Sequence, residues 1–278
     1  MNTIEFTAFV ALGSWAAGFL GALTGLGGGI VIVPLLNLFF AVDMRYAIGA
    51  SLISVIATSS GAAAAYVKEG YSNIRIGIFL EIATTIGALI GATLAATLST
   101  AVIAIIFGIV LVCSAYASSQ QRTAVISDHP PDRLATLLRM DGSYPTAEGP
   151  QAYHVHAILT GLTLMFIAGI LSGLLGIGSG AVKVLAMDQA MRLPFKVSTA
   201  TSNFMIGVTA AASAGVYLNR GYIDPGLAMP VMLGVLAGSL LGARVLMRAP
   251  ARILRIVFSL VIVLLGVEMI YNGITESL

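Results

Sequence analysis

Charge is what this 278-residue sequence has least of: Asp, Glu, Lys and Arg make up 9% of it. A water-soluble domain carries about 25%, so that shortage excludes an ordinary soluble fold. The net charge of +2 is small, and no nucleic-acid partner is expected. There is one cysteine, Cys113, which excludes an internal disulfide and a thiolate metal cluster. Its setting, IIFGIVLVCSAY, predicts a buried core thiol rather than a redox centre. The three histidines, His129, His154 and His156, fall in or next to one polar stretch, with no cysteine or acid at metal-ligand spacing. No nucleophile triad, paired carboxylates or cofactor motif occurs either, so neither an enzyme nor a metal or cofactor is expected. The N-terminal run lacks a basic n-region, with no Lys or Arg before Arg45, and does not read as a cleaved signal.

Apolar residues are abundant instead, at 58% of the chain with a mean hydropathy of +0.98. They fall in runs of the length that crosses about 30 Å of hydrocarbon. We read apolar elements at 5–24, 27–41, 47–67, 75–97 and 100–117, then at 155–176, 178–191, 197–218, 225–246 and 253–272. Between the two sets lies a polar connector rich in proline and glycine, within which RLATLLRM has the pattern of a short interfacial helix. The expected fold is an all-α polytopic membrane protein. Its expected parts are a first repeat at 1–117, a connecting loop at 118–154 and a second repeat at 155–278.

The halves are copies. With a shift of 151 positions, AGFLGALTGLGGGIVIV (17–33) lies on AGILSGLLGIGSGAVKV (168–184), identical at nine of 17 positions. In the same ungapped register Ser51 meets Ser202, YVKEGY meets YLNRGY, and Gly87 and Gly91 meet Gly238 and Gly242. The hairpin at 244–255 carries Arg244, Arg248, Arg252 and Arg255, whereas its counterparts Thr93, Thr97, Ala101 and Ala104 carry no charge. Cytoplasmic loops collect Lys and Arg, so two matched loops that differ this much belong on opposite sides. Two inverted-topology repeats of about five helical elements each are expected. Both termini are then external and the connector is cytoplasmic, with Lys68, Arg75, Arg192 and Lys196 inside and Arg45 and Arg220 outside.

Small residues let membrane helices approach closely, which suffices for Gly87, Gly91, Gly238 and Gly242 and also permits a homodimer. The clusters Gly25, Gly27, Gly28, Gly29 and Gly176, Gly178, Ser179, Gly180 are denser. Each glycine costs a helix about 1 kcal/mol against alanine, so both clusters predict broken helices. Broken backbone at membrane depth must line a protein cavity, and symmetric breaks in two inverted halves point to a site near the midplane. Half-helices that start there aim N–H groups and positive dipole ends at the break, which suits an anion.

Lys183 follows the second cluster, where the first copy has Ile32. An ionisable group inside a membrane is functional by default and needs a partner. The alternatives are an anionic substrate, Asp188 (about 140° round the helix), or Glu81 in GIFLEIATT. Asp188 is better placed as a helix-end partner of Arg192 or Lys196. In STATSNFMIGVT (198–209), opposite IGASLISVIAT (48–58), Ser51, Thr201, Ser202 and Asn203 are candidates for ligand or helix contacts. Glu81 is also a candidate for proton coupling.

GLGGGIVIVPLLNLFF…AIGASL and GLLGIGSGAVKVLAMD…FKVSTATSNFMIGVTAAASA together resemble the TauE/SafE (sulfite exporter) family of membrane transporters. The resemblance runs over 5–272. It departs at Leu185, where the first copy has Pro34, at Ser179, and in the long connector. It implies a carrier for sulfite, thiosulfate or organosulfonates in the cytoplasmic (inner) membrane, built from two inverted repeats and performing no covalent chemistry. The expected function is export of such anions by alternating access. The expected partners are a small anionic substrate and the lipid bilayer. A non-transporting scaffold or partner subunit, or a passive anion channel, is the alternative.

Overall fold

A computed structural model describes residues 3–24, 29–68, 70–119, 132–146, 149–246 and 251–276. Among them are eight helices of 18 to 26 residues. In the first half these are α1 (Thr3–Thr24), α3 (Met44–Lys68), α4 (Ile74–Ala95) and α5 (Thr100–Ser119). In the second they are α7 (Ile158–Leu175), α9 (Phe195–Asn219), α10 (Pro225–Leu246) and α11 (Ala251–Glu276). Two short helices, α2 (Gly29–Pro34) and α8 (Gly180–Leu185), each run into one π turn, Leu35–Phe39 and Ala186–Ala190. The remaining elements, α6 (Arg133–Leu137), β1 (Gly142–Thr146) and β2 (Gly149–Tyr153), lie in the connector. A helix satisfies its backbone internally, as lipid requires.

The outer faces of these helices are apolar. On α4, Ile78, Ile82 and Ile86 recur every four residues and are 57%, 60% and 50% exposed, a stripe that water would penalise and lipid would not. By length and composition α4 and α7 are each apolar enough to cross a membrane. Cys113 corrects the sequence reading, because it is exposed. On α5 the buried stripe is Ile103, Phe107, Leu111 and Ala115, and Cys113 projects away from it, two positions after Leu111.

The two series of elements keep one register. Gly29–Pro34 and Gly180–Leu185, Met44–Lys68 and Phe195–Asn219, and Ile74–Ala95 and Pro225–Leu246 all differ by 151 at both ends. Local chemistry repeats with them. Asn73 Oδ1 accepts from the Ile76 N–H (3.1 Å) at the start of α4, and Asp224 Oδ1 from the Gly226 N–H (2.8 Å) at the start of α10. Gly70 (φ 77°) and Gly221 (φ 74°) turn the chain after α3 and α9 in a conformation that glycine adopts at little cost.

Packing crosses between the halves. α1 lies on α10, α4 on α7, α3 on α9 and α5 on α11. Gly87 and Gly238 are close-approach positions: a Cβ on the first would fall on the Phe166 carbonyl and on the second on the Trp15 carbonyl. Gly91 faces Ile170 and Gly234 faces Ala11 in the same way. These glycines are engaged inside the chain, so a homodimer would need a different face from the one their spacing suggested.

The connector is folded against one end of the bundle. β1 and β2 pair antiparallel from Gly142↔Tyr153 to Thr146↔Gly149. The RLATLLRM segment contributes one helical turn, α6, which buries Ala135 and leaves Leu137 exposed. Ala135, Met140, Tyr153 and Val155 join a core with Ile76, Met187, Met191 and Val197. Asn73 Nδ2 donates to the Met140 carbonyl and the Tyr153 hydroxyl, both at 2.8 Å. Burial raises the Tyr153 pKa above its ordinary 10.0; the Asn73 hydrogen bond opposes this and the Asp141 charge adds to it. His154 pairs with Asp141 (3.6 Å), while His129 lies outside the described residues.

Candidate functional site

Gly29 opens α2, and the second glycine segment links α7 to α8 in a helical hairpin. Phe6, at the start of α1, meets Phe40 just past the first π turn, with ring centroids 5.8 Å apart. Just before α7, the His156 N–H donates to the Met191 carbonyl just past the second (3.2 Å). The mouth of the first hairpin is therefore near Met44 and that of the second near Phe195.

The far ends of the two hairpins meet. Ser51 Oγ on α3 donates to the Gly176 carbonyl (2.8 Å) and lies 3.4 Å from that of Gly29. Ser202, its counterpart on α9, donates to the Gly180 carbonyl (3.4 Å). The predicted break in the second half is present: Gly176 (φ 67°), Gly178 (φ 68°) and Ser179 (φ 45°) are all left-handed. Side chains other than glycine rarely adopt that region, which makes Ser179 the unusual member. Gly178 sits between Val55 and Ile206, themselves 151 positions apart. Gly25, Gly27 and Gly28 lie outside the described residues; Gly29 opens α2.

Lys183 is on the first turn of α8 and fully buried. Of its sequence candidates, Glu81 on α4 is the partner, with Nζ and Oε2 3.9 Å apart. Thr209 on α9 joins them. Lys183 Nζ donates to Thr209 Oγ1, which lies 2.6 Å from Glu81 Oε1 and 2.9 Å from the Met205 carbonyl. Thr85 Oγ1 adds a donor to Glu81 Oε1 at 3.3 Å. A buried ion pair gains little stability over apolar residues, yet removing one partner costs about 3–5 kcal/mol. Among the described residues, Glu81 Oε2, Ser172 Oγ and Ser179 Oγ are buried without a hydrogen-bond partner, each an exception to normal polar satisfaction.

The remaining candidates divide. Thr201 is buried and its Oγ1 accepts from the Asn73 N–H (3.0 Å), a contact that ties α9 to the cap of α4. Asn203 Nδ2 donates to the Thr199 carbonyl one turn back (3.0 Å), so its amide serves its own helix. Thr209 stands at the end of STATSNFMIGVT, but nothing in the sequence marked it off from the other hydroxyls there. Lysine, threonine and carboxylate meet only when α4, α8 and α9 are assembled.

Two cation–aromatic contacts lie away from this centre. Arg45 stands over Tyr222 at 5.7 Å from its centroid, and Lys196 over Tyr71 at 6.0 Å. Arg45 and Lys196 are counterparts in the 151 register, as are Tyr71 and Tyr222. Arg45 also donates to the Leu98 carbonyl (3.0 Å).

Long apolar helices with apolar outer faces, enclosing a broken helix and a buried charged cluster, define the class as a polytopic helical membrane protein. The sulfite exporter TauE/SafE family matches residues 10–269, and the chain belongs to it. That family is one of membrane transporters, not enzymes. The chain is 29% identical to "Probable membrane transporter protein YunE" of Bacillus subtilis, over 98% of this chain and 99% of that protein. It is 26% identical to "Probable membrane transporter protein MJ0441" of Methanocaldococcus jannaschii, over 91% of each. A "Probable membrane transporter protein" of Xylella fastidiosa is 24% identical over 95% of each chain. No solved structure matches the chain significantly.

Proposed function

We propose that this protein is a secondary transporter that exports small sulfur-containing anions, such as sulfite, thiosulfate or an organosulfonate, by alternating access. The observation that carries this reading is Lys183, a fully buried cation beside the left-handed break at Gly176, Gly178 and Ser179. In the transport cycle Lys183 supplies the counter-charge, Ser51, Ser179 and Ser202 supply hydroxyls, and the backbone around Gly25, Gly27, Gly28, Gly29, Gly178 and Gly180 supplies N–H donors. Thr201 and Asn203 hold α9 in position behind them.

Two inverted-topology repeats in the cytoplasmic membrane frame this site, with both termini outside and the connector inside. The shared 151-residue offset of the element bounds supports the repeat. So does the exchange of partners, α1 with α10 and α4 with α7. The hairpin mouths near opposite ends of α3, a 25-residue helix of about 37 Å, support the inversion. Rocking of one hairpin against the other about Ser51 and Ser202 would open the site to each side in turn.

Thermal stability of the detergent-solubilised protein against an anion panel tests the reading. An anion at about 100 times its dissociation constant stabilises the folded state by roughly 2.7 kcal/mol. Sulfite, thiosulfate or a sulfonate should raise the melting temperature of the wild type and not that of Lys183→Ala. A well-folded wild type indifferent to every anion would favour the scaffold reading instead.

A further inference from the structure

We propose that Glu81 is a proton-binding site whose occupancy is tied to anion binding through Lys183 and Thr209, one proton for each monoanion carried. The inference rests on the anion-transport reading above and adds the ion carried with the anion; net export then requires an outward anion gradient that exceeds the inward proton gradient.

Lys183 has a single positive charge, which neutralises Glu81 at 3.9 Å. An anion that takes this charge leaves the Glu81 carboxylate buried beside a second negative group. Protein interiors resist an uncompensated charge. A proton taken from water onto Glu81 removes the conflict, because Lys183 then balances the anion and the core stays neutral. On release the proton returns to water and the carboxylate recovers its ammonium. Glu81 Oε2 is suited to this step, being buried and without a hydrogen-bond partner, so protonation there breaks no existing hydrogen bond. Thr209 is the relay, since its hydroxyl touches both charged groups. It accepts from the Lys183 ammonium and can go on donating to Glu81 Oε1 when Oε2 is protonated.

Among the described residues, the surroundings of Glu81 offer no competing ion pair. α7, packed along α4, has no titratable side chain. On α9 the titratable residues are Lys196 and Tyr217, near its two ends. Asp188 lies on the π turn beyond Lys183, and the connector groups Arg139, Asp141 and Tyr153 gather at the start of α4, around Asn73 and Arg75.

The cluster also breaks the internal register. The positions 151 away from Glu81, Lys183 and Thr209 are Met232, Ile32 and Thr58. Each half thus forms, uncharged, the helix on which the other half carries its charge: α2 has no lysine and α10 has no glutamate at the matching position. The helices form without the charges, which leaves the pair free for a chemical role.

The experiment uses purified protein in liposomes containing the pH dye pyranine, with radiolabelled methanesulfonate, a monoanion, as the coupling probe and radiolabelled thiosulfate, a dianion, as a second counterflow probe. Neither probe buffers near neutrality, so internal acidification reports carried protons. An interior about one pH unit more alkaline than the medium should drive accumulation of methanesulfonate towards about tenfold in the wild type, with acidification of the lumen. Glu81→Gln should keep counterflow of labelled against unlabelled anion but lose both gradient-driven accumulation and acidification. Glu81→Asp, which keeps a carboxyl, should retain coupling. Wild-type counterflow without proton movement would overturn the proposal, even if Glu81→Gln did not fold. Gradient-driven accumulation in Glu81→Gln would overturn it as well. Absence of counterflow for both probes in the wild type would instead defeat the underlying sulfur-anion reading.

Discussion

Lys183 Nζ and Glu81 Oε2 stand 3.9 Å apart across the interface of α8 with α4, one residue from each half of the chain. Neither has a charged counterpart 151 positions away. The contact therefore joins the halves at a point where their sequences have diverged in chemistry while keeping the same helices.

Pairing makes the two charges interdependent in stability. Lys183→Met or Glu81→Leu alone should cost about 3–5 kcal/mol, by stranding the other charge. The double variant should recover most of that loss and can exceed the wild type, because burying two ions carries its own desolvation cost. Thermal unfolding of all four proteins in one detergent closes the cycle. Additive losses would show that the residues do not act as a pair.

The close approaches of α4 to α7 and of α1 to α10 predict a matched pair of steric failures. Gly87→Val and Gly238→Val should each destabilise by about 1–3 kcal/mol or more, because the new side chain meets backbone that cannot rotate away. Gly61→Ala on α3 is the control. Nothing lies within 4 Å of the Cβ it would add, so alanine should be neutral or stabilise by about 0.5–1 kcal/mol. Melting temperature and monodispersity on a sizing column read both effects.

Ser51 and Ser202 occupy matching positions but hold their glycine carbonyls unequally, at 2.8 Å (Ser51 to Gly176) and 3.4 Å (Ser202 to Gly180). Ser51→Ala should cost about 1–2 kcal/mol by depriving the Gly176 carbonyl of its donor, and Ser202→Ala should cost less. Equal losses, measured by denaturant or heat, would contradict the unequal geometry.

Docking of the connector should respond to alkaline pH through Tyr153. Its pKa is raised in the folded state, so its contribution is complete below pH 10 and is lost as pH rises from 10 through the folded value. Tyr153→Phe should remove that part of the alkaline loss and cost about 1 kcal/mol at neutral pH for the missing Asn73 contact. Melting curves of both proteins between pH 8 and about 11 would separate the two effects, and identical alkaline slopes would rule out a Tyr153 contribution.

Much of the helical framework was legible because lipid restricts the chain to few solutions. Long apolar runs have to become helices, and the 151-residue register carried the bounds of α2, α3 and α4 onto those of α8, α9 and α10. The glycine cluster at 176–180 announced its break through composition, and Ser51 and Ser202 stood out by their matching positions. Thr209 did not, because a hydroxyl in a membrane helix usually bonds its own backbone and only the approach of α4 and α8 gives it another role. The position of Cys113 was misread for a related reason. In a helix whose lipid face is as apolar as its core, composition does not tell inside from outside. The connector's hairpin was also illegible, since prolines and glycines mark turns but not the surface on which those turns dock.

The exchange of partners between the halves also bears on how the chain could be divided. α1 has its long neighbour in α10 and α4 has its own in α7, so neither half encloses a core by itself. A cut in the connector would separate two lengths of peptide without separating two bodies. Fragments made together from a split gene should find each other in the membrane and rebuild the transporter. Either one made alone would expose to lipid the glycine-lined grooves that its missing half normally fills.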